Sequence, residues 1–350
     1  MLRTRLSSSA GQVAAEYMGG LLLVAVVIAA LLGTQVHTSI AVETERAICK
    51  ITGSLGCGEP GVPQAEDDDD SDPGEPDREV HDAECDNNLP GDLIRDEGDG
   101  PAGGDEEANQ VYDNLGEVFD YYSDTFGRDS YDDAGGDLIA SINFCETPGT
   151  PMLNAYWNGT QMVFGDGYAS SLDITAHELT HAVTEMTAGL EYQCQSGALN
   201  ESMSDIFAVN VDDDDWQIGE DLPGGMIRDL QHPEDGDPPQ PAHVDDFDTR
   251  PNDSNPFNDH GGVHYNSGIP NHAYYLMVQA MGRDAAEAIV YRALTEKLGP
   301  DSNFEDFRTA SLEVARELWG VDSPEYRGTN ESFAAVGLDG TWEAPEVDGC

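Results

Sequence analysis

Lysine is nearly absent from this chain of 350 residues: Lys50 and Lys297 are its two, and 15 basic residues in all face 69 acidic ones. A formal net charge of -54 repels phosphate groups, which argues against nucleic acid and anionic lipid as partners. So strong a self-repulsion is tolerated best where salt or bound cations screen it, so a salt-adapted protein is expected. Cysteine is also sparse. Its six residues (Cys49, Cys57, Cys85, Cys145, Cys194, Cys350) lack metal-site spacing and form an even set. In an exported chain they are expected to pair as disulfides, Cys49 with Cys57 closing a small local loop.

Long apolar runs are equally few. Residues 18–33 carry no charge, and weakly apolar residues continue to Val42; with Arg3 and Arg5 before it, this stretch is long enough to cross a bilayer and place the rest outside. Just ahead stands Gly11-Gln12-Val13-Ala14-Ala15-Glu16-Tyr17. It resembles the processing site of Flp-type (Tad) pilins, which implies cleavage after Gly11 with the hydrophobic helix retained. An uncleaved anchor and a secretory signal cut near Ser39-Ile40-Ala41 are the competing readings. Residues 59–107 are rich in Asp, Glu, Gly and Pro with almost no aromatic residue, a composition that buries too little apolar surface to offset its ordering entropy. Residues 1–45 are therefore expected as a pilin-like transmembrane segment and 46–107 as an acidic disordered linker.

Order is expected from about residue 108 to 345. Val111, Leu115, Val118, Phe119 and Tyr122 have helical spacing and end at a turn near Gly127. Residues 138–144 read as a strand, and 154–157 and 161–164 as two more joined by the turn Asn158-Gly159. Beyond these the chain reads as mostly helical.

The chemistry lies in Asp173 to Met186, a helix with His177, Glu178 and His181. Residues four apart share a helix face, so His177 and His181 can offer imidazole nitrogens to one metal ion. Glu178 then stands beside the ion's open side, as a base for water rather than a ligand. A catalytic zinc needs a third protein ligand. Glu201 and Asp205, four apart on a second helical stretch, supply one carboxylate to ligate and one to accept a histidine ring N–H, in either order.

Together, His-Glu-Leu-Thr-His-Ala-Val-Thr at 177–184, Thr-Ala-Gly-Leu-Glu-Tyr-Gln at 187–193, Asn-Glu-Ser-Met-Ser-Asp-Ile-Phe at 200–207, Asp-Trp-Gln-Ile-Gly-Glu-Asp at 215–221 and Gly-Gly-Val-His-Tyr-Asn-Ser-Gly-Ile at 261–269 resemble the thermolysin family of zinc metallopeptidases, in that family's order. The resemblance spans roughly residues 108–340. It implies an α+β fold of the zincin type, with a small β-containing part over 108–190 and a mostly helical part over 191–345. It implies His177, His181 and Glu201 as zinc ligands, Glu178 as general base, and Asp205 behind His177. Tyr192 and His264 would face the oxyanion, with Asp259 holding His264; Asn154, the Ala155 backbone and Arg228 would grip the substrate main chain. Asp173, Asp212, Asp215, Glu220 and Asp221 match the family's calcium site, where Gln217 replaces a usual carboxylate and leaves one ion expected.

Two departures stand out: about seventy residues separate the linker from the metal helix, and the usual long inhibitory pro-region is missing, so a more open cleft is expected. Cys194 and Cys350 are candidates to tie the helical part together. The function implied is an exported zinc endopeptidase, anchored at the membrane or secreted, that cuts peptide or protein substrates before bulky apolar residues. The alternative is a structural or binding component of a pilus-like surface assembly.

Overall fold

The structure, a computed structural model, describes residues 74–350. The pilin-like site, the apolar run, Cys49, Cys57 and the linker up to residue 73 lie outside the described residues. Among the described residues no helix is long and apolar enough to cross a membrane.

The first two strands correct an expectation. β1 (Arg78–Asp82) and β2 (Asp92–Arg95) lie inside the stretch assigned to the acidic linker, and Cys85 pairs with Cys145 beside them. Average composition over fifty residues hides how little apolar anchoring a short strand needs. Val80 is fully buried, and β1 runs parallel to β3 (Leu138–Ile142) with Val80 opposite Ala140. The arginines of this acidic stretch also find partners: Arg78 and Arg95 sit on the Tyr112 ring at 3.9 and 3.5 Å from its centroid, and Arg78 Nε donates to Glu97 at 2.6 Å. The folded part thus begins some thirty residues earlier than 108.

Between β2 and β3, helix α1 (Glu106–Phe126) starts where the Asp105 carboxylate accepts from Ala108 N–H, with Glu106 and Glu107 in the first turn, and stops at Gly127 in the left-handed conformation. Its buried face carries Val111, Leu115, Val118, Phe119 and Tyr122, as the spacing predicts. β4 (Ala155–Trp157) and β5 (Met162–Phe164) form the expected hairpin, the Asn158 side chain accepting from Thr160 and Gln161 N–H in the turn. The sheet order is β2-β1-β3-β5-β4, so β4 is an edge with unpaired backbone groups on its outer side.

Two helices, α2 (Leu172–Met186) and α3 (Cys194–Val211), pack along each other at the centre of the molecule. Every residue from 196 to 210 is buried, as is every residue from 173 to 184 except His181. A helix covered all round has no solvent face, so its polar residues must find partners inside. One such pair links α1 to α2: Tyr122 Oη and Thr180 Oγ1 lie 2.7 Å apart, and Thr180 donates onward to Ala176 O at 2.7 Å. A short ribbon follows, β6 (Gln217–Ile218) with β7 (Arg228–Asp229).

The rest is helical: the kinked α4 (Asp259–Asn266), then α5 (Gly268–Met281), α6 (Arg283–Glu296), α7 (Phe304–Trp319) and α8 (Pro324–Ala335). α7 opens with a capping box between Asn303 and Asp306 and buries Phe304, Phe307, Ser311 and Val314 on one face. The second disulfide joins Cys194 to Cys350, so the C-terminal residues return to the start of α3.

The strand assignment of β1 is checked by Val80→Asp in the zinc-loaded protein. An unpaired carboxylate in that core position is expected to lower unfolding free energy by about 3 kcal/mol. Chemical denaturation reads it, and a loss under about 0.5 kcal/mol, usual at exposed sites, would return β1 to the linker.

Candidate active site

α2 and α3 bring the histidines and the glutamate to one point. His177 Nε2 and His181 Nε2 lie 3.1 Å apart, and each is 3.5 Å from an oxygen of Glu201. Among the described residues this is the one set of three such side chains whose ligand atoms lie within 4.8 Å of each other. Ligands held at about 2.0–2.1 Å in a tetrahedron stand about 3.3 Å apart, so the donors have the spacing of zinc.

The opposite edge of each ring fixes its tautomer. His177 Nδ1 lies 3.0 Å from Asp205 Oδ1, and His181 Nδ1 lies 2.7 Å from Asn200 Oδ1. The Asn200 amide cannot be turned over, because its Nδ2 donates to Leu190 O at 3.1 Å. Both rings thus hold a proton on Nδ1 and turn the Nε2 lone pair inward. Two lone pairs 3.1 Å apart repel unless a cation lies between them. The buried Glu201 Oε2 has no hydrogen-bond partner either, and an orphan carboxylate oxygen in the interior is costly. The donor set fits zinc.

A proton on an inward ring nitrogen answers the same charge deficit as a cation would. Burial opposes ionisation of Glu201, but the His264, His177 and His181 imidazoles outweigh it and hold the carboxyl well below the usual range. Burial likewise disfavours charge on His177, yet Asp205 and Glu201 push it up to about 10, while burial pushes His181 down.

Asp205 is more than the partner of one histidine. It accepts from Arg228 Nε and Nη2 at 2.7–2.9 Å and from Asn271 Nδ2 at 2.8 Å, so Arg228 is committed to Asp205 on one side. Arg228 also lines the cleft, where its Nη1 has no hydrogen-bond partner among the described residues.

Opposite the histidines, Tyr192 Oη donates to Glu201 Oε1 at 2.5 Å and lies 3.1 Å from His264 Nε2. His264 is held twice by Asp259, whose Oδ1 is 2.6 Å from Nδ1 and whose Oδ2 accepts from the His264 backbone N–H at 2.8 Å. Burial works against a charged His264, but Glu201 and then Asp259 raise its pKa. Glu178 is buried in the same cleft with Oε2 unpartnered. Asn154 and Ala155, at the start of edge strand β4, form the facing wall, and the cleft encloses about 580 Å³.

The acidic residues gather more loosely. Asp173, at the first turn of α2, accepts from Ile174 N–H at 2.7 Å, from Ser171 Oγ and from Gly219 N–H. Burial first, and then the carboxylates of Asp173, Asp215 and their neighbours, push Asp212 up to about 6 and Glu220 up to about 7. Asp215 and Asp221 complete the group.

Asn200 escaped the sequence reading. The signal was present: each ligating histidine needs an acceptor on its second nitrogen, and the residue next to Glu201 is the one placed to serve His181.

Comparison with known proteins agrees with this geometry. The thermolysin metallopeptidase catalytic-domain model matches residues 74–185, and the model of that family's alpha-helical domain matches residues 188–338. Bacillolysin of Bacillus amyloliquefaciens is 43% identical over 234 residues, which are 64% of this chain and 43% of that protein; the chain thus spans under half of that relative's length. Neutral protease NprE of Bacillus pumilus is 42% identical over 64% of this chain and 75% of its own. Protease PrtS of Photorhabdus sp. is 39% identical over 75% and 76%. In structure, the precursor of protealysin, a metalloproteinase from Serratia proteamaculans, superposes with a TM-score of 0.68 and 35% identity, covering 77% of this chain and 89% of that one. With its zinc donor set, its two matched domains and these relatives, the chain belongs to the thermolysin metallopeptidase family.

Proposed function

We propose that this protein is a zinc endopeptidase that hydrolyses peptide bonds on the amino side of bulky apolar residues. One observation carries the reading: Glu178, Tyr192 and His264 converge in the cleft on the His177–His181–Glu201 set. His177, His181 and Glu201 would hold zinc, which when bound would supply Lewis acidity toward water and the carbonyl oxygen. Glu178 takes a proton from the attacking water and passes it to the leaving nitrogen. Tyr192 Oη–H and His264 Nε2–H donate to the carbonyl oxygen as it gains charge, and Asp259 keeps His264 aimed. The edge of β4 pairs with an extended substrate through Ala155, while Asn154 and the free side of Arg228 grip its main chain. Ile174, Leu190 and Ile227 in the cleft wall support the apolar preference.

Export is part of the proposal. It is supported by the two disulfides, which suit an oxidising compartment. The pilin-like tether rests on residues 11–42 alone; an exported chain that begins at Gln12 is its signature, and one that begins at Val42 contradicts it.

We also propose one calcium ion among Asp173, Asp212, Asp215, Glu220 and Asp221. Crowding of Asp212 and Glu220 by neighbouring carboxylates supports it, as does the buried, unpartnered Glu220 Oε2.

Two measurements check these readings. Zinc-loaded protein is expected to cleave casein, to lose activity to a zinc chelator, and to lose about 10²–10⁴-fold in kcat in Glu178→Gln. A zinc-loaded wild type without activity favours the binding component of a surface assembly instead. Removal of calcium at constant zinc is expected to lower the melting temperature, with about 2.7 kcal/mol regained at calcium a hundredfold above its Kd. An unchanged melting temperature would remove the ion.

A further inference from the structure

Four consecutive residues just before His264 have left-handed backbone: Asp259 (φ 52), His260 (φ 49), Gly261 (φ 88) and Gly262 (φ 83). Two of them are not glycine, and such a run persists only where its surroundings hold it. This turn is what lets Asp259 reach both Nδ1 and the backbone N–H of His264.

The surroundings are unusual in being covalent. A Cβ on Gly261 would lie 3.0 Å from Cys350 Sγ and 3.1 Å from Cys194 Sγ, so the backbone of the turn is seated directly on the disulfide. Cys194 opens α3 two residues after Tyr192. The C-terminal strap adds a second tie. Asn252 N–H donates to Asp348 O at 2.8 Å, and Asn252 Nδ2 donates to Gly349 O at 3.2 Å and to Gln193 Oε1 at 2.9 Å. A third contact closes the group: a Cβ on Gly197 would lie 2.5 Å from Val263 Cγ1 and 3.0 Å from the Tyr192 carbonyl carbon. The segments bearing Tyr192 and His264 are thus pressed together under one strap.

We propose that Cys194, Cys350 and Asn252 are positioning residues that set the 3.1 Å approach of Tyr192 Oη to His264 Nε2, and with it the pair of donors that meets the developing oxyanion. The inference rests on the peptidase reading of the cleft. None of the three touches substrate; they act by holding the turn and the start of α3 in register. Zinc binding depends on α2 and the middle of α3, outside the strap.

The test uses zinc-loaded protein at a temperature where every variant remains folded. The variants are Cys194→Ser with Cys350→Ser, Asn252→Ala with the disulfide intact, and Cys85→Ser with Cys145→Ser as a disulfide outside α3 and the turn before His264. Each is assayed for kcat and KM on a peptide and for binding of two inhibitors. A phosphonamidate peptide places a charged oxygen before Tyr192 and His264; a mercaptoacyl peptide binds the zinc through sulfur and places none. In the Cys194/Cys350 variant, kcat and phosphonamidate affinity are expected to fall together by about tenfold with KM and thiol affinity unchanged; in Asn252→Ala, by about threefold. The Cys85/Cys145 variant is expected to keep the ratio of phosphonamidate to thiol affinity of the wild type, although its melting temperature falls. Should the Cys194/Cys350 variant not fold, Asn252→Ala decides by the same criterion. Phosphonamidate and thiol affinities that stay equal to wild type, or that fall in parallel, overturn the inference. A zinc-loaded wild type that cleaves no peptide fails earlier, at the peptidase reading, and takes the inference with it.

Discussion

Three ionisable side chains, His177, Glu201 and Asp205, are buried between two helices with His181 beside them at the edge of the cleft, and the fold depends on how their charges are balanced. Buried charge is tolerable only with partners, and the partners here are arranged in sequence. Arg228 and Asn271 hold Asp205, Asp205 holds His177, and Asn200 holds His181. What remains unbalanced is the inward side, where two lone pairs and an orphan carboxylate oxygen face each other. A divalent cation would complete that set by balancing the charge the inward side lacks.

The remaining layers fix this cluster in space. α1 bears on α2 through Tyr122 and Thr180, the sheet presents β4 along the cleft, and the kinked segment before His264 carries the opposite wall. Each wall thus comes from a different part of the chain, while the donors for zinc come from two adjacent helices. That division suits the chemistry, since a metal site needs short fixed distances and a substrate site needs separated surfaces.

Much of this was legible from the residues. Helical periodicity located α1, alternation and Asn158-Gly159 located the hairpin, and the spacing of His177, Glu178 and His181 located the metal helix. Local signals of this kind survive in sequence because each is set by residues within a turn or two. Signals spread over distance did not survive. β1 was lost in an acidic background because its stability comes from parallel pairing to a strand about sixty residues later, and because one valine suffices as its anchor. Asn200 was missed because its role depends on the direction of a ring on another helix. Arg228 was assigned to substrate, and its commitment to Asp205 appears only when β7 is folded against α3. Disulfide partners were half visible: Cys194 and Cys350, 156 residues apart, stood out as candidates to tie the helical part together and are joined, whereas the pairing of Cys85 with Cys145 had no signal in the residues around them.

The central claim is that α2 and α3 present two imidazoles and one carboxylate, already spaced for zinc. X-ray absorption at the zinc edge tests it most directly. The account predicts one zinc per chain with a shell of nitrogen and oxygen at about 2.0–2.1 Å, scattering from two imidazoles, and one imidazole lost in His181→Ala. A shell containing sulfur near 2.3 Å, or one unchanged by that substitution, would contradict it.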